Sequence, residues 1–138
     1  MKYNSEHDKP FEKPEVGQNN ITIIDAEEKE SEKGNEMIVI TVAVDEGQTG
    51  AGCEMRDYIT DIPGKPEIAC NKIGTILRAC GKDPKEKGDG EFEVPTAKLI
   101  GLKAPVVVKH EEYKGKMYAK INYWVGPARN NPEDDIPF

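Results

Sequence analysis

The segment Leu99–Val125, LIGLKAPVVVKHEEYKGKMYAKINYWV, decides the fold. Its two halves alternate apolar with polar residues and Lys114–Gly115 separates them, which predicts two strands joined by a two-residue turn. The predicted strands are Leu99–His110 and Lys116–Val125. In this hairpin the numbers of opposite residues sum to 229, so each side chain is assigned to one of two faces.

The two faces of the predicted hairpin differ in character. One is almost continuously apolar and suits the interior of a barrel; it comprises Ala104, Val106, Val108, His110, Met117, Ala119, Ile121, Tyr123 and Val125. The other combines bases with aromatic rings and comprises Lys103, Val107, Lys109, Tyr118, Lys120, Asn122 and Trp124. We expect the first face to be buried and the second to face solvent.

Three strands and one helix are predicted ahead of the hairpin. The strands are Asn20–Glu27, Met37–Asp45 and Cys53–Thr60, and the 13 Ile and 9 Val against 3 Leu favour them. The helix begins at Pro66, which suits a first turn, and ends at Gly81. Its apolar face comprises Ala69, Ile73, Ile76, Leu77 and Cys80.

The predicted order, β-β-β-α-β-β, is that of the five-stranded oligonucleotide/oligosaccharide-binding (OB-fold) barrel, in which one helix caps an end. A β-sandwich and an open α+β sheet are the alternatives. We expect a mainly β protein with an N-terminal arm (1–17), an OB-fold domain (18–126) and a polar, acidic tail (127–138). The arm and the tail are expected to be flexible.

Length and composition exclude several classes of protein. A chain of 138 residues supports one domain. Nothing near Met1 resembles a signal peptide, and the longest apolar stretch, Met37–Val44, is too short to cross a bilayer. We therefore expect a soluble intracellular protein. The three cysteines form no CxxC pair, so we expect reduced thiols, no metal and no cofactor.

Sequence motifs of enzymes are also missing. The HEE run at 110–112 lacks the HExxH spacing, and neither a P-loop nor a Gly-x-Ser-x-Gly motif is present. A zinc site is disfavoured because the predicted helix face turns Cys80 towards the core. Its ligands would be Cys53, Cys70, Cys80 and His110. We expect a binding protein rather than an enzyme.

Charge is unevenly distributed along the chain. The formal net charge is −7, yet the region Lys98–Arg129 holds seven basic and two acidic residues. Lysines bind phosphates and exposed aromatic rings stack on bases, as single-stranded nucleic acid requires. The side chains predicted to bind it are Lys33, Arg56, Tyr58, Lys103, Lys109, Tyr113, Lys114, Lys116, Tyr118, Lys120 and Trp124. The alternative is an ordinary solvated strand face, with Trp124 packed beneath the N-terminal arm.

The last five residues, Asp134-Asp135-Ile136-Pro137-Phe138, resemble the acidic tip of bacterial single-stranded DNA-binding proteins. In that family the tip docks on replication and repair proteins. The resemblance implies that Phe138 anchors the tip in an apolar pocket and that Ile136 and Pro137 shape the contact. Asp134 and Asp135 would then meet a basic rim. We also expect the acidic tail to fold over the basic groove when DNA is absent.

Three further segments, Ser31–Met37, Lys72–Gly74 and His110–Lys116, resemble a family of phage-encoded single-stranded DNA-binding proteins with the same barrel. The resemblance covers Gly17–Phe138. It implies a phage or prophage protein of the bacterial host cytoplasm that coats and protects single-stranded DNA without sequence specificity during replication or recombination. It also implies that the protein recruits partners through its tail. The alternatives are a strand-annealing recombination factor and an adaptor whose barrel binds protein. We expect a homo-oligomer, because such barrels pair through edge strands and hairpins.

Overall fold

The structure, a computed structural model, describes residues 1–3, 13–82 and 95–126. Its elements, in chain order, are β1 (Gly17–Glu30), β2 (Glu36–Val44), β3 (Glu54–Thr60), α1 (Pro66–Ala79), α2 (Thr96–Leu99), β4 (Lys103–Tyr113) and β5 (Lys116–Trp124). The five predicted strands and the predicted helix are present, and the four-residue helix α2 is an addition. No helix in the described ranges has the length and apolar character needed to span a membrane.

All five strands join one antiparallel sheet in the order β3-β2-β1-β4-β5. The long strand β1 lies at its centre, because Gly17–Thr22 pairs with β4 while Ile21–Glu30 pairs with β2. A β-bulge at Ile24 lies between the pairs of Ile23 and Asp25 with β2. Bulges bend a strand and increase its twist, so β1 can pair with two neighbours that diverge from it.

The core lies on one face of this sheet, which we call the inner face. Alternate residues of each strand contribute to it, as the period of two requires. Its most deeply buried side chains, all below 2% exposed, include Ile21, Ile23, Ile40, Val42, Val106 and Val108, together with Ile76 from α1. The opposite, outer face carries most of the charged side chains of the strands.

The two edge strands, β3 and β5, approach each other at a seam beneath α1. Asp57 of β3 accepts a hydrogen bond from Trp124 Nε1 of β5 at 2.7 Å, and another from Lys72 Nζ of α1 at 2.7 Å. Within the described ranges, no ladder of backbone hydrogen bonds joins the two strands. The sheet is therefore strongly curled but not closed into a barrel.

The end of the N-terminal arm packs on the domain. Pro14 is fully buried, and its carbonyl oxygen lies 2.8 Å from His110 Nε2 on β4. Gly50, in the turn after β2, is in close contact with Pro14 and has a φ of +78°. Residues 4–12 of the predicted arm and the whole predicted tail, 127–138, lie outside the described residues.

Candidate nucleic-acid interface

The register predicted for the β4–β5 hairpin is confirmed from its turn to the pair Val108–Ile121. Lys114 and Gly115 have φ values of 51° and 80°. Positive φ at both central residues is the signature of a type I′ turn, whose twist matches that of the flanking strands. The turn therefore fixes which side chains of the hairpin face outwards.

A β-bulge at Asn122 changes the faces of the residues that follow it. Val107 lies opposite Tyr123, and Val106 lies opposite Trp124. The predicted faces of Tyr123 and Trp124 are therefore wrong. Tyr123 is 56% exposed on the outer face, whereas Trp124 is 5% exposed in the core. The ring of Trp124 is packed away from solvent, so it offers no surface on which a base could stack.

The outer face of the hairpin carries a mixed basic and aromatic patch, which we call the hairpin surface. It consists of Lys109, Glu111, Tyr113, Lys114, Lys116, Tyr118, Lys120 and Tyr123. Lys109 lies opposite Lys120, and Tyr118 lies opposite Glu111. Four of these side chains are lysines and only one is acidic, so the hairpin surface is positively charged.

The carboxylate of Glu111 lies between two lysines of the hairpin surface. Its Oε1 is 3.0 Å from Lys120 Nζ, and its Oε2 is 3.4 Å from Lys109 Nζ. The hydrogen bonds from Lys120 and from Lys109 lower the pKa of Glu111 below its ordinary value. The carboxylate is therefore ionised at neutral pH and neutralises part of the positive charge around it.

Three tyrosines give the hairpin surface its aromatic character. Tyr113, Tyr118 and Tyr123 are 61%, 45% and 56% exposed. The ammonium group of Lys114 lies 5.3 Å from the centre of the Tyr113 ring, a distance typical of a cation–π contact. Because about half of each of these side chains is exposed to solvent, the rings can stack on bases.

Arg56 and Tyr58 lie on the outer face of β3, and both are exposed. Asp57, between them in sequence, is bonded to Trp124 across the seam. Tyr58 follows Asp57 in β3 and Tyr123 precedes Trp124 in β5, so the two tyrosines lie on opposite sides of the seam. Curling of the sheet thus brings the predicted β3 residues towards the hairpin surface.

Lys103 lies apart from the hairpin surface, although it shares the outer face. It is six residues from Lys109 along β4, which corresponds to roughly 20 Å. Its Nζ lies 3.0 Å from Thr22 Oγ1 and 3.5 Å from Asp45 Oδ2. The structure therefore places Lys103 of β4 in a separate polar contact with Thr22 of β1 and with Asp45, the residue after β2.

Lys33 is exposed in the loop between β1 and β2. That loop follows Glu30, at the far end of β1 from Gly17, whereas the turn of the hairpin lies beyond the pair Gly17–Val108. The strand register does not bring Lys33 beside the hairpin surface.

Two members of the hairpin surface were missed by the sequence reasoning. Tyr123 was assigned to the inner face because strict alternation carries no signal for a bulge. Glu111 was counted only as one of two acids in a basic region. Its position two residues from Lys109 on the same face is readable from sequence, and the predicted register puts it diagonally across from Lys120.

The comparison with known proteins adds a family but no activity. No curated protein matches the sequence. Residues 1–132 match the family described as "Protein of unknown function (DUF669)", so the match includes all seven elements and stops before the DDIPF sequence. Because nearly the whole chain is matched, this protein belongs to the DUF669 family.

Proposed function

We propose that this protein binds single-stranded DNA through its hairpin surface. The observation that carries the proposal is that three exposed tyrosines and four lysines share one face of a hairpin. Aromatic rings stack on bases at about 1–3 kcal/mol per base, and lysines contact the phosphates between them. Stacking needs unpaired bases, which favours a single strand over a duplex.

The proposed fold is a partly open OB-fold barrel. The sheet order β3-β2-β1-β4-β5, with β3 and β5 meeting at a seam, supports it. The helix α1 between β3 and β4 also occupies the position of the capping helix in that fold. Barrels of this type bind oligonucleotides on the face of their second and third strands and on the loops that follow their first and fourth strands.

The proposed role is to coat and protect single-stranded DNA during phage or prophage replication and recombination. The resemblances described for Ser31–Met37, Lys72–Gly74 and His110–Lys116 support this role. Binding is proposed to be independent of sequence, because stacking on tyrosine accepts every base. Recruitment of replication proteins is assigned to the DDIPF sequence, with Phe138 as its anchor.

The proposal is tested by fluorescence anisotropy with a labelled oligothymidylate of about 30 nucleotides, titrated at several salt concentrations. We expect the wild-type protein to bind it, and the double variant Tyr118→Ala/Tyr123→Ala to bind at least about tenfold more weakly, since about 1–3 kcal/mol is lost per ring. The variant Lys109→Gln removes one positive charge from the hairpin surface and should weaken binding. Its matched control is Lys98→Gln, which removes one positive charge elsewhere. Lys98 belongs to α2, so its variant should bind as wild type does.

Duplex DNA of equal length is the second control. Equal affinity for duplex and single strand, or an unchanged affinity of the double tyrosine variant, would contradict the proposal. Absence of salt-dependent binding would favour the adaptor alternative, in which the barrel binds protein. Faster pairing of complementary strands in the presence of the protein would indicate the annealing alternative.

A further inference from the structure

Two lysines on the hairpin surface form a like-charged pair. Lys109 and Lys120 lie directly opposite each other on β4 and β5. Like charges at such positions repel and destabilise a sheet. The carboxylate of Glu111 relieves the repulsion, because each of its oxygens contacts a different ammonium group, at 3.4 Å and 3.0 Å. The two lysines thus hold one carboxylate by both of its oxygens.

We infer that Lys109 and Lys120 form a site for one phosphate group of the bound strand, which Glu111 occupies in the free protein and vacates on binding. The inference rests on the proposed function. A phosphodiester, like a carboxylate, presents two anionic oxygens on one central atom, and both accept charge-assisted hydrogen bonds from ammonium groups. The same two donors therefore fit either anion.

The position of Glu111 allows this exchange. The side chains of Lys109, Glu111 and Lys120 are 46%, 45% and 54% exposed, so the carboxylate can turn into solvent without crossing the core. Tyr118, directly opposite Glu111, is an exposed ring beside the same site. A base stacked on Tyr118 brings its own phosphate close to the two ammonium groups.

Displacement of Glu111 by a phosphate affects DNA affinity differently from a contact made at a vacant site. The strand must replace the two ion pairs of Glu111 at each binding event, which lowers the affinity for the strand and eases its release. Removal of the carboxylate should leave both lysines available to the strand. Glu111 is therefore a built-in competitor that keeps binding reversible.

The experiment compares Glu111→Gln with Glu112→Gln in the oligothymidylate titration. Both variants remove one negative charge from adjacent residues of β4, but Glu112 belongs to the opposite face, across from Met117. We expect Glu111→Gln to bind about 3- to 10-fold more tightly at low salt, since two exposed ion pairs no longer compete. Its log–log salt slope should equal that of the wild type, because both complexes hold the same phosphates; a slope steeper by about 0.7, the value of one phosphate on a single strand, would show that the wild type does not bind this phosphate and would overturn the exchange. Glu112→Gln should show a clearly smaller gain.

A second measurement separates this inference from the proposed function. Inorganic phosphate is titrated into each variant, and backbone amide shifts around Lys109 and Lys120 are followed by NMR. We expect saturable shifts in Glu111→Gln that are absent from Glu112→Gln and from the double variant Glu111→Gln/Lys120→Gln. If no form of the protein binds DNA while Glu111→Gln binds phosphate, the proposed function is overturned and the phosphate site stands. If the two glutamine variants bind DNA equally tightly, the exchange is overturned even where wild-type protein binds DNA.

Discussion

Asp57 is the residue that joins three elements of the molecule. Its Oδ2 accepts the indole N–H of Trp124, and its Oδ1 accepts Lys72 Nζ and the backbone N–H of Tyr58. Only 15% of its side chain is exposed, so water replaces these bonds poorly. This carboxylate therefore links β3 to β5 at the seam and to α1 above it.

We expect Asp57→Ala to lower the free energy of unfolding by about 1–3 kcal/mol, because the buried indole N–H of Trp124 loses its acceptor. Urea denaturation followed by the fluorescence of Trp124, the single tryptophan, measures the change. Asp61→Ala, an exposed aspartate just beyond β3, is the control and should change stability by less than about 0.5 kcal/mol. Equal losses in the two variants would contradict the role given to Asp57.

The three thiols differ in their surroundings. Cys70 is exposed, whereas Cys53 is buried and Cys80 is half-buried. Burial raises the pKa of Cys80 to about 11, with Lys82 opposing it, and burial and then Glu54 raise the pKa of Cys53. Because the folded state holds the Cys80 proton more tightly, the stability due to that thiol is present below its ordinary pKa of 9.0 and is lost as the pH rises towards 11.

At about pH 8 we expect a thiol reagent to modify the exposed Cys70 of the native protein quickly. Cys53 and Cys80 should react slowly, because only the thiolate reacts and burial raises the pKa of both thiols. The fast phase should disappear in Cys70→Ser, and all three thiols should react in urea. Fast labelling of Cys53 or Cys80 in the native protein would show that the burial described for them is wrong.

At the scale of elements, the type I′ turn and the bulge at Asn122 together decide what the hairpin displays. The turn was predictable, because Lys114–Gly115 stands between two alternating segments and glycine accepts a positive φ. The bulge was not, since it turns Trp124 into the core and towards Asp57, which is distant in sequence. Local alternation cannot report such a tertiary preference.

Strand number, order along the chain and the helix beginning at Pro66 were likewise predictable, because they depend on local period and on turn residues. The curl of the sheet and the seam were not, since they arise from contacts between residues far apart in sequence. Accordingly, sequence reasoning found the lysines of the hairpin surface and misplaced its last aromatic residue.

The turn after β2 contains Gly50, which lies against the backbone of the N-terminal segment at Pro14. A Cβ on Gly50 would lie 2.4 Å from the backbone nitrogen of Pro14, whereas nothing lies within 4 Å of one on Gly52. Both glycines have positive φ, +78° and +83°, so alanine is strained at either position by about 1–2 kcal/mol. We expect Gly50→Ala to lose distinctly more stability than Gly52→Ala in urea denaturation. Equal losses would show that the contact with Pro14 contributes little.

At the scale of the whole molecule, charge is divided between a lysine-rich hairpin and acidic segments elsewhere in the chain. The sequence ends with two aspartates before Ile136, and an acidic segment tethered to a basic surface competes with DNA at high effective concentration. We expect deletion of Asp134–Phe138 to tighten DNA binding at low salt and to have no effect at high salt, where the attraction is screened. The double variant Asp134→Asn/Asp135→Asn keeps the chain length and should behave in the same way. Unchanged affinity at low salt would show that the tail does not compete with DNA.

The most direct test of the central claim is ultraviolet crosslinking of the wild-type protein to oligothymidylate, with the adducts located by mass spectrometry. We expect adducts on Tyr118 and Tyr123 of the hairpin surface, and none on Trp124, whose ring is in the core. Adducts confined to residues outside the hairpin surface, or crosslinking to Trp124 in place of Tyr123, would contradict the central claim.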